Sequence, residues 1–368
     1  MEVLALCAWC KDLPIADAEN IPTEIVQTLF SQGLFRQSQC GLSWRVTEAG
    51  YALLAEAGMC FEQDKQYLGK SPALYRRLQM AVITGFFWRC GADVFRDTSH
   101  TEMGTHSFLP SFALRRKQSA NILGGTQLAG FYYTDRYVFI PYFIPEESNG
   151  VYPEVEQRTF RSEGFLCGRT PYVLYTGSGD LGDILRVLRH PIHRNPKTTT
   201  ESYMYAISKW NCPVAICPLN GDGMRQLRIL EISDLEKKLI RMLLGHRYAS
   251  SSNTWSDGKD KASGDPYLVG IDCNIQRFEI ALRNNSGSTH IFLMPFQTEA
   301  VAMILKGRPV ILHPIEPQVI EQCLGLPMEL PKISGEPFQT EEGRYMHVQT
   351  FGKYQKNRGY SRKLDRRT

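Results

Sequence analysis

A mixed α/β fold is what this sequence predicts, and three observations carry the prediction. Apolar residues recur at helical spacing over Glu24–Phe30, then give way to a glycine turn and the strand-like Ser43-Trp44-Arg45-Val46. From Pro72 to Leu324, runs rich in β-branched and aromatic residues alternate with helical stretches. With 43% apolar and 22% charged residues in 368, the composition is that of an ordinary globular chain of two or three domains.

Residues 1–60 read as one module. Glu2–Lys11 is helical, with Val3, Leu6, Cys7 and Cys10 on one side, and Ile15–Glu19 fits a second, shorter helix. Pro22 suits the start of a third, whose stripe is Ile25, Val26, Leu29 and Phe30, and Gly33 takes the place of a helix C-terminal glycine. Arg36-Gln37-Ser38-Gln39-Cys40-Gly41 leads into the strand Ser43–Val46, and Thr47 can cap a last helix carrying Tyr51, Leu53 and Leu54. Helix, glycine turn, hairpin and helix in that order is the pattern of a winged helix-turn-helix, a module that reads DNA or docks onto a protein.

The body follows a polar connection at Phe61–Lys70. Pro72–Trp88 is a long helix, and Gly104–Pro110 reads as irregular. Strands are expected at Phe112–Lys117, Gln127–Thr134 and Tyr137–Ile144, then a helix at Pro153–Ser162, a strand at Tyr172–Tyr175 and a helix at Leu181–Arg189. Later strands are Met204–Ile207, Val214–Cys217, Leu227–Leu230, Tyr267–Asp272, Ile291–Met294 and Val310–His313; later helices are Leu235–Leu244, Thr298–Leu305 and Pro317–Leu324. Asn253–Pro266, rich in Ser, Gly, Asp and Lys, reads as a mobile loop. The alternation argues for a largely parallel, three-layer α/β body, divided into residues 61–200 and 201–345, with a basic tail at 346–368. No internal repeat of fixed period is visible.

Charge is unevenly spread. Lys353–Thr368 holds seven Lys/Arg and one Asp, so a formal total of +4 leaves the remainder slightly acidic. In that tail Lys353, Lys356, Arg358, Arg362, Lys363, Arg366 and Arg367 are interleaved with Tyr354 and Tyr360, which suits phosphates and stacked bases as well as a solubilising terminus. Met1–Ala57 is the opposite: Lys11, Arg36 and Arg45 face seven carboxylates. If this module meets DNA, Gln27, Thr28 and Gln32 are placed for base edges and Arg36 and Arg45 for phosphates, but the acidic balance favours a protein-docking or dimerising role equally.

Other patterns are weighed against ordinary structural uses. Gly177-Ser178-Gly179-Asp180-Leu181-Gly182 matches Gly-x-Gly-x-x-Gly between a strand and a helix, so Gly177, Gly179 and Gly182 could admit a nucleotide pyrophosphate. Asp180 and Asp183 put negative charge beside such phosphates, and a tight turn with Asp180 as helix cap accounts for the motif as well. Cys7-x-x-Cys10, with Cys40 and Cys60 elsewhere, is a weak zinc pattern, and packed thiols are commoner. His190 and His193 lack a nearby carboxylate. No Gly-x-Ser-x-Gly, His-Glu-x-x-His or Walker-type loop occurs, so the sequence asks for no cofactor and no metal. Ten scattered cysteines, no basic leader before the first apolar stretch and no run long enough to span a bilayer point to a cytoplasmic protein without a membrane partner.

Helix, three strands, helix, strand over Pro72–Tyr175 resembles the restriction-endonuclease-like core. Its chemistry needs an acid on the second strand and an acid-x-Lys on the third, to hold Mg²⁺ and activate water. Gln127–Thr134 and Tyr137–Ile144 contain neither an acid nor a lysine; Asp135 lies in the turn and Glu146-Glu147 beyond it. A nuclease-like but catalytically degenerate core is therefore expected.

Two further stretches complete a resemblance. Trp44-Arg45-Val46-Thr47-Glu48-Ala49-Gly50, the paired strands Gly125–Thr134 and Arg136–Ile144, and Tyr267–Asp272 with Phe296–Gly307 together resemble the replication-relaxation group of plasmid and integrative-element proteins, including members from conjugative elements of Gram-positive bacteria. The likeness covers most of the chain diffusely. It implies a bacterial accessory role in plasmid replication, conjugation or the regulation of a mobile genetic element. The expectation is thus a non-catalytic DNA-associated protein; the alternatives are a protein-interaction scaffold that docks or dimerises through the winged helix, and an enzyme binding a nucleotide at Gly177–Gly182.

Overall fold

The computed structural model describes residues 1–63, 69–95, 104, 106–117, 123–144, 151–162, 164–177, 179–189, 191–192, 201–202, 206–252 and 255–325. Among them the fold is mixed α/β, with helices around several sheets. The basic tail lies outside the described residues, as do His190, His193 and Ser178.

The N-terminal module runs α1 (Glu2–Cys10), β1 (Leu13–Pro14), a 3₁₀ turn (Ile15–Asn20), α2 (Thr23–Ser31), β2 (Phe35–Gln37), β3 (Ser43–Val46) and α3 (Glu48–Glu56). Its strands form an antiparallel sheet in the order β1-β3-β2. Residues Val3 to Cys10 are all buried, because α1 is enclosed by α3, β3 and the next long helix rather than showing one face to water. Phe35 stacks on Trp44 and Phe30 meets both edge-on, which fixes α2 against the hairpin. Thr47 caps α3 by accepting from Gly50 N at 3.2 Å.

Next come α4 (Pro72–Arg89), β4 (Ser107–Pro110), α5 (Ser111–Lys117), β5 (Gly130–Tyr133), β6 (Tyr137–Phe143), α6 (Pro153–Ser162), β7 (Thr170–Thr176), α7 (Leu181–Arg189), the short pair β8 (Pro191–Ile192) and β9 (Glu201–Ser202), β10 (Val214–Ile216) and α8 (Gly221–Leu230). The main sheet has the order β4-β5-β6-β7-β10: antiparallel across the first three strands, parallel across the last three. Its fifth strand lies past residue 200, so the sheet spans the expected division there.

Two expected strands are helices. Phe112–Lys117 belongs to α5, and the strand is its neighbour Ser107–Pro110, which ends at the pairing of Pro110 with Gly130; the contiguous Phe112-Ala113-Leu114 has no period to separate helix from strand. Leu227–Leu230 ends α8, whose first amides, Asp222 N and Gly223 N, donate to Asn220 Oδ1 at 3.1 Å each. Met224, Leu227 and Leu230 are buried at a spacing of three, a pattern invisible in a four-residue window. The expected strand Met204–Ile207 falls partly outside the described residues.

The last part contains α9 (Leu235–Leu244), β11 (Tyr248–Ala249), β12 (Gly258–Asp260), β13 (Pro266–Val269), α10 (Ile275–Asn284), β14 (Thr289–Leu293), α11 (Pro295–Ile304), β15 (Val310–Pro314) and α12 (Pro317–Leu324). Its sheet order, β11-β12-β13-β14-β15, again has the first three strands antiparallel and the last three parallel. Both sheets are preceded by a helix and carry a helix in each parallel connection, so one topology occurs twice without any repeat visible in the sequence. Asn253–Pro266 is a correction: it supplies β12, and its polar residues form turns, with Asp260 Oδ1 accepting from Ala262 N and Ser263 N. Helix α10 was not anticipated; Asn274 caps it, and Ile275, Phe278 and Ala281 are buried along one side.

The parts are joined by polar contacts. Arg77 and Arg89 of α4 reach the module at Asp12 (3.0 Å) and Asp17 (3.2 Å), and Arg89 also donates to Leu219 O. Between the sheets, Ile216 N donates to Asp272 O at 2.9 Å. Gln226 Nε2 donates to both Ile216 O and Ile271 O.

Candidate functional site

Helix α2 turns Val26 and Leu29 inward and leaves Glu24, Gln27, Thr28 and Gln32 exposed. The Thr28 hydroxyl is held along the helix, donating to Glu24 O at 2.7 Å. Arg36 and Arg45 are cross-strand partners, so their side chains leave the hairpin on one face. They differ in freedom. Arg36 is exposed, whereas Arg45 is 13% exposed and lies 3.8 Å from the Asp12 carboxylate. Asp12 also accepts from Ser43 Oγ at 2.7 Å and from Arg77. Two of the module's seven acids, Asp12 and Asp17, therefore face inward toward arginines, which a charge count along the sequence does not reveal.

The first main sheet has a polar centre where β6 ends. Glu156, from the first turn of α6, is buried and accepts from Gln127 N at 2.6 Å and from Tyr142 Oη at 3.0 Å. Burial pushes its carboxyl up to about 7 despite those donors. Sequence spacing marks Glu156 only as an acid near a helix start.

The second sheet has a charged centre at the corresponding end of β13. Arg277 donates to Asp257 Oδ1 and, at 3.0 Å, to Val269 O; it lies 3.6 Å from Asp272 Oδ2. Asp257 Oδ2 accepts from Val269 N at 2.7 Å. Burial pushes Asp272 up to about 6, and the flanking carboxylates hold Arg277 in its charged form. Every group in this knot is answered by another, which suits a structural role.

A third cluster joins the first sheet to the segment after α8. Tyr132 Oη donates to Glu231 Oε1 at 2.8 Å and meets His106 Nδ1 at 3.1 Å. Burial pushes Glu231 up to about 7.

At the Gly177–Gly182 loop, Asp183 N donates to Asp180 Oδ1 at 2.9 Å and Asp180 N to Asp183 Oδ2 at 3.3 Å. Two amides at the start of α7 are thus engaged by carboxylates of the same turn. A Cβ on Gly177 would lie 3.1 Å from Ile184 Cγ1, whereas one on Gly182 would lie 3.2 Å from Asp180 Oδ1 and at ordinary contact distance, 3.8 Å, from Met303 Cε. Gly179 alone has a positive φ, +86°. A cleft of about 620 Å³ opens beside the loop, between Leu185, Arg186 and Arg189 of α7 and Phe296, Met303 and Ile304 of α11.

Cys7 and Cys10 are buried in α1, and burial pushes the Cys7 thiol well up; it donates to Trp44 O. Cys60 is exposed. No three His, Cys, Asp or Glu side chains converge as a cation site among the described residues. Nor is any described helix long and apolar enough to cross a membrane.

No family profile, no curated protein and no solved structure matches this chain.

Proposed function

We propose that the chain is a non-catalytic, DNA-associated accessory protein whose N-terminal module is a winged helix presenting α2 to DNA. One observation carries this: the outward side of α2 offers uncharged Gln27, Thr28 and Gln32, with exposed Arg36 on the adjoining hairpin. The inward pairing of Asp12 and Asp17 removes part of the acidity that argued against a phosphate partner. In the body, the order α4, β4, α5, β5, β6, α6, β7 keeps the helix, three strands, helix and strand of a restriction-endonuclease-like core with α5 set between its first two strands, and Glu156, held by an amide and a phenol, supports reading that core as degenerate. The resemblance to replication-relaxation proteins adds the setting, replication or transfer of a mobile genetic element. The basic tail, Lys353–Arg367, would supply salt-dependent affinity.

The test is duplex binding by the full chain over a salt series, beside Gln27→Ala/Gln32→Ala, Arg36→Ala and a chain ending at Phe351. Binding that weakens in the glutamine variant, with a salt slope reduced by about one for Arg36→Ala, is expected. A full chain that binds no duplex at low salt overturns the reading.

A second use of the module is favoured by Phe30, which is 37% exposed beside the polar side of α2. An apolar ring there suits docking or self-association. Sedimentation of the parent, and of Phe30→Ser once its circular dichroism matches the parent's, decides it: a dimer lost in a folded variant supports that use, and a parent that stays monomeric removes the dimer.

A further inference from the structure

Helix α7 follows a strand of the first sheet and α11 a strand of the second, and the two pack together. A Cβ on Gly182, at the start of α7, would lie 3.8 Å from Met303 Cε and 4.0 Å from Ala300 Cβ. Alongside this contact lies the cleft of about 620 Å³. Helix α7 lines it with Gly182, Leu185, Arg186 and Arg189, and α11 with Phe296, Glu299, Ala300 and Met303. Both sets recur at i, i+3, i+4 and i+7, so each helix gives the cleft one face over two turns, about 10 Å of its length. Two helix faces of that length shape a groove rather than a pocket closed around a small molecule.

The groove has an apolar floor. Leu185 and Ala300 are buried, Phe296 and Ile304 are partly exposed, and Met303 is 60% exposed. A flexible thioether left in water is the kind of contact that helix-binding surfaces use. Two of the carboxylates here are engaged: Asp180 and Asp183 each accept from the other's amide, and Asp183 also accepts from Arg186. Arg189 on one wall and Glu299 on the other are exposed, and neither has an ion-pair partner among the described residues.

Three carboxylates against two guanidiniums disfavour a nucleic-acid strand. An apolar floor between walls of opposite charge suits an amphipathic helix, whose flanking charges choose the direction in which it lies. We propose that the groove between α7 and α11 takes an amphipathic helix of a partner protein. Its apolar stripe would lie against Leu185, Phe296 and Met303, with an acidic residue toward Arg189 and a basic one toward Glu299. Neither α2 nor DNA takes part, so this site and the reading above can fail separately.

The experiment titrates the full chain with three labelled peptides of about 18 residues that share leucines at i, i+3, i+4 and i+7. One carries glutamates on one flank and lysines on the other, the second glutamates on both, the third lysines on both. The parent should bind the mixed peptide tightest and gain helical circular dichroism on binding. Met303→Asp should weaken that binding about tenfold. Arg189→Glu makes both walls acidic and should turn the preference to the all-lysine peptide, by about threefold. Glu299→Lys should turn it to the all-glutamate peptide.

A parent that binds none of the three overturns the proposal, as does a preference that ignores both wall variants. Sedimentation without peptide covers the other occupant: a parent dimer lost in Met303→Asp assigns the groove to a second copy and removes the partner helix. If Met303→Asp does not fold, a photo-reactive leucine in the mixed peptide decides the matter. Adducts within residues 182–189 or 296–304 support the groove, and adducts confined elsewhere overturn it.

Discussion

Arg89 and Asp17 lie 3.2 Å apart with only 6% and 5% of their side chains exposed, and they come from different parts of the chain. One belongs to α4 of the body, the other to the 3₁₀ turn that precedes α2. An ion pair so enclosed fixes the angle at which the module sits on the body.

Breaking that pair by Arg89→Met strands a carboxylate out of water. It is expected to cost about 3–5 kcal/mol in urea unfolding, with part recovered in Arg89→Met/Asp17→Asn. A loss no larger than that of a surface substitution would mean that water reaches the pair.

Glu156 should impose a pH dependence of its own. Its folded carboxyl titrates at about 7 and its unfolded one near 4.5, so between those values the folded state keeps a proton that the unfolded state has lost. Stability from this group therefore falls as pH rises from about 4.5 to about 7, by an amount on the order of 3 kcal/mol. Glu156→Gln should flatten that share of the curve of melting temperature against pH. Glu231 and Asp272 shift in the same direction and remain in both proteins, so only the difference between parent and variant is diagnostic.

The histidine pair should act with the opposite sign. His290 Nδ1 and His313 Nε2 are 2.8 Å apart, and burial lowers the pKa of both, His290 further lowering that of His313. Stability from them is present above the ordinary histidine range and is lost as pH falls through it. His313→Gln should lose less melting temperature than the parent between about pH 7 and about pH 5. Equal losses would show that the pair accepts its second proton without strain.

Two glycines at helix starts should respond differently to alanine. A Cβ on Gly223 would sit 1.7 Å from Pro218 O, so Gly223→Ala should cost about 3 kcal/mol or more by chemical denaturation. At Gly182 the nearest atom is Asp180 Oδ1 at 3.2 Å, and alanine's helix preference offsets the crowding. Gly182→Ala should stay within about 1 kcal/mol of the parent. A severe loss there would mean that α7 and α11 tolerate no side chain between them.

Elements with strong period or explicit punctuation were legible in the sequence. Ser43–Val46, Pro153–Ser162, Leu181–Arg189, Leu235–Leu244 and Pro317–Leu324 fall where their stripes, caps and prolines put them. Short apolar runs were not: Phe112–Lys117 and Leu227–Leu230 fit either period until a cap or a neighbouring proline decides. Charged groups were least legible. Arg45 reads as a phosphate contact until Asp12, thirty-three positions earlier, is found beside it. The knot of Asp257, Asp272 and Arg277 lay hidden because Asn253–Pro266 has a loop's composition and α10 was unforeseen. Pairing across the fold, not residue type, decides which charges meet solvent.

The bond from Ile216 N to Asp272 O, with the Gln226 amide spanning both sheets, has a thermodynamic consequence. Two sheets of like topology would ordinarily melt as separate calorimetric events, the weaker first. Main-chain groups shared across the seam make the loss of one sheet strip hydrogen bonds from the other. The two should therefore unfold in a single transition, with the van't Hoff enthalpy matching the calorimetric one across both sheets.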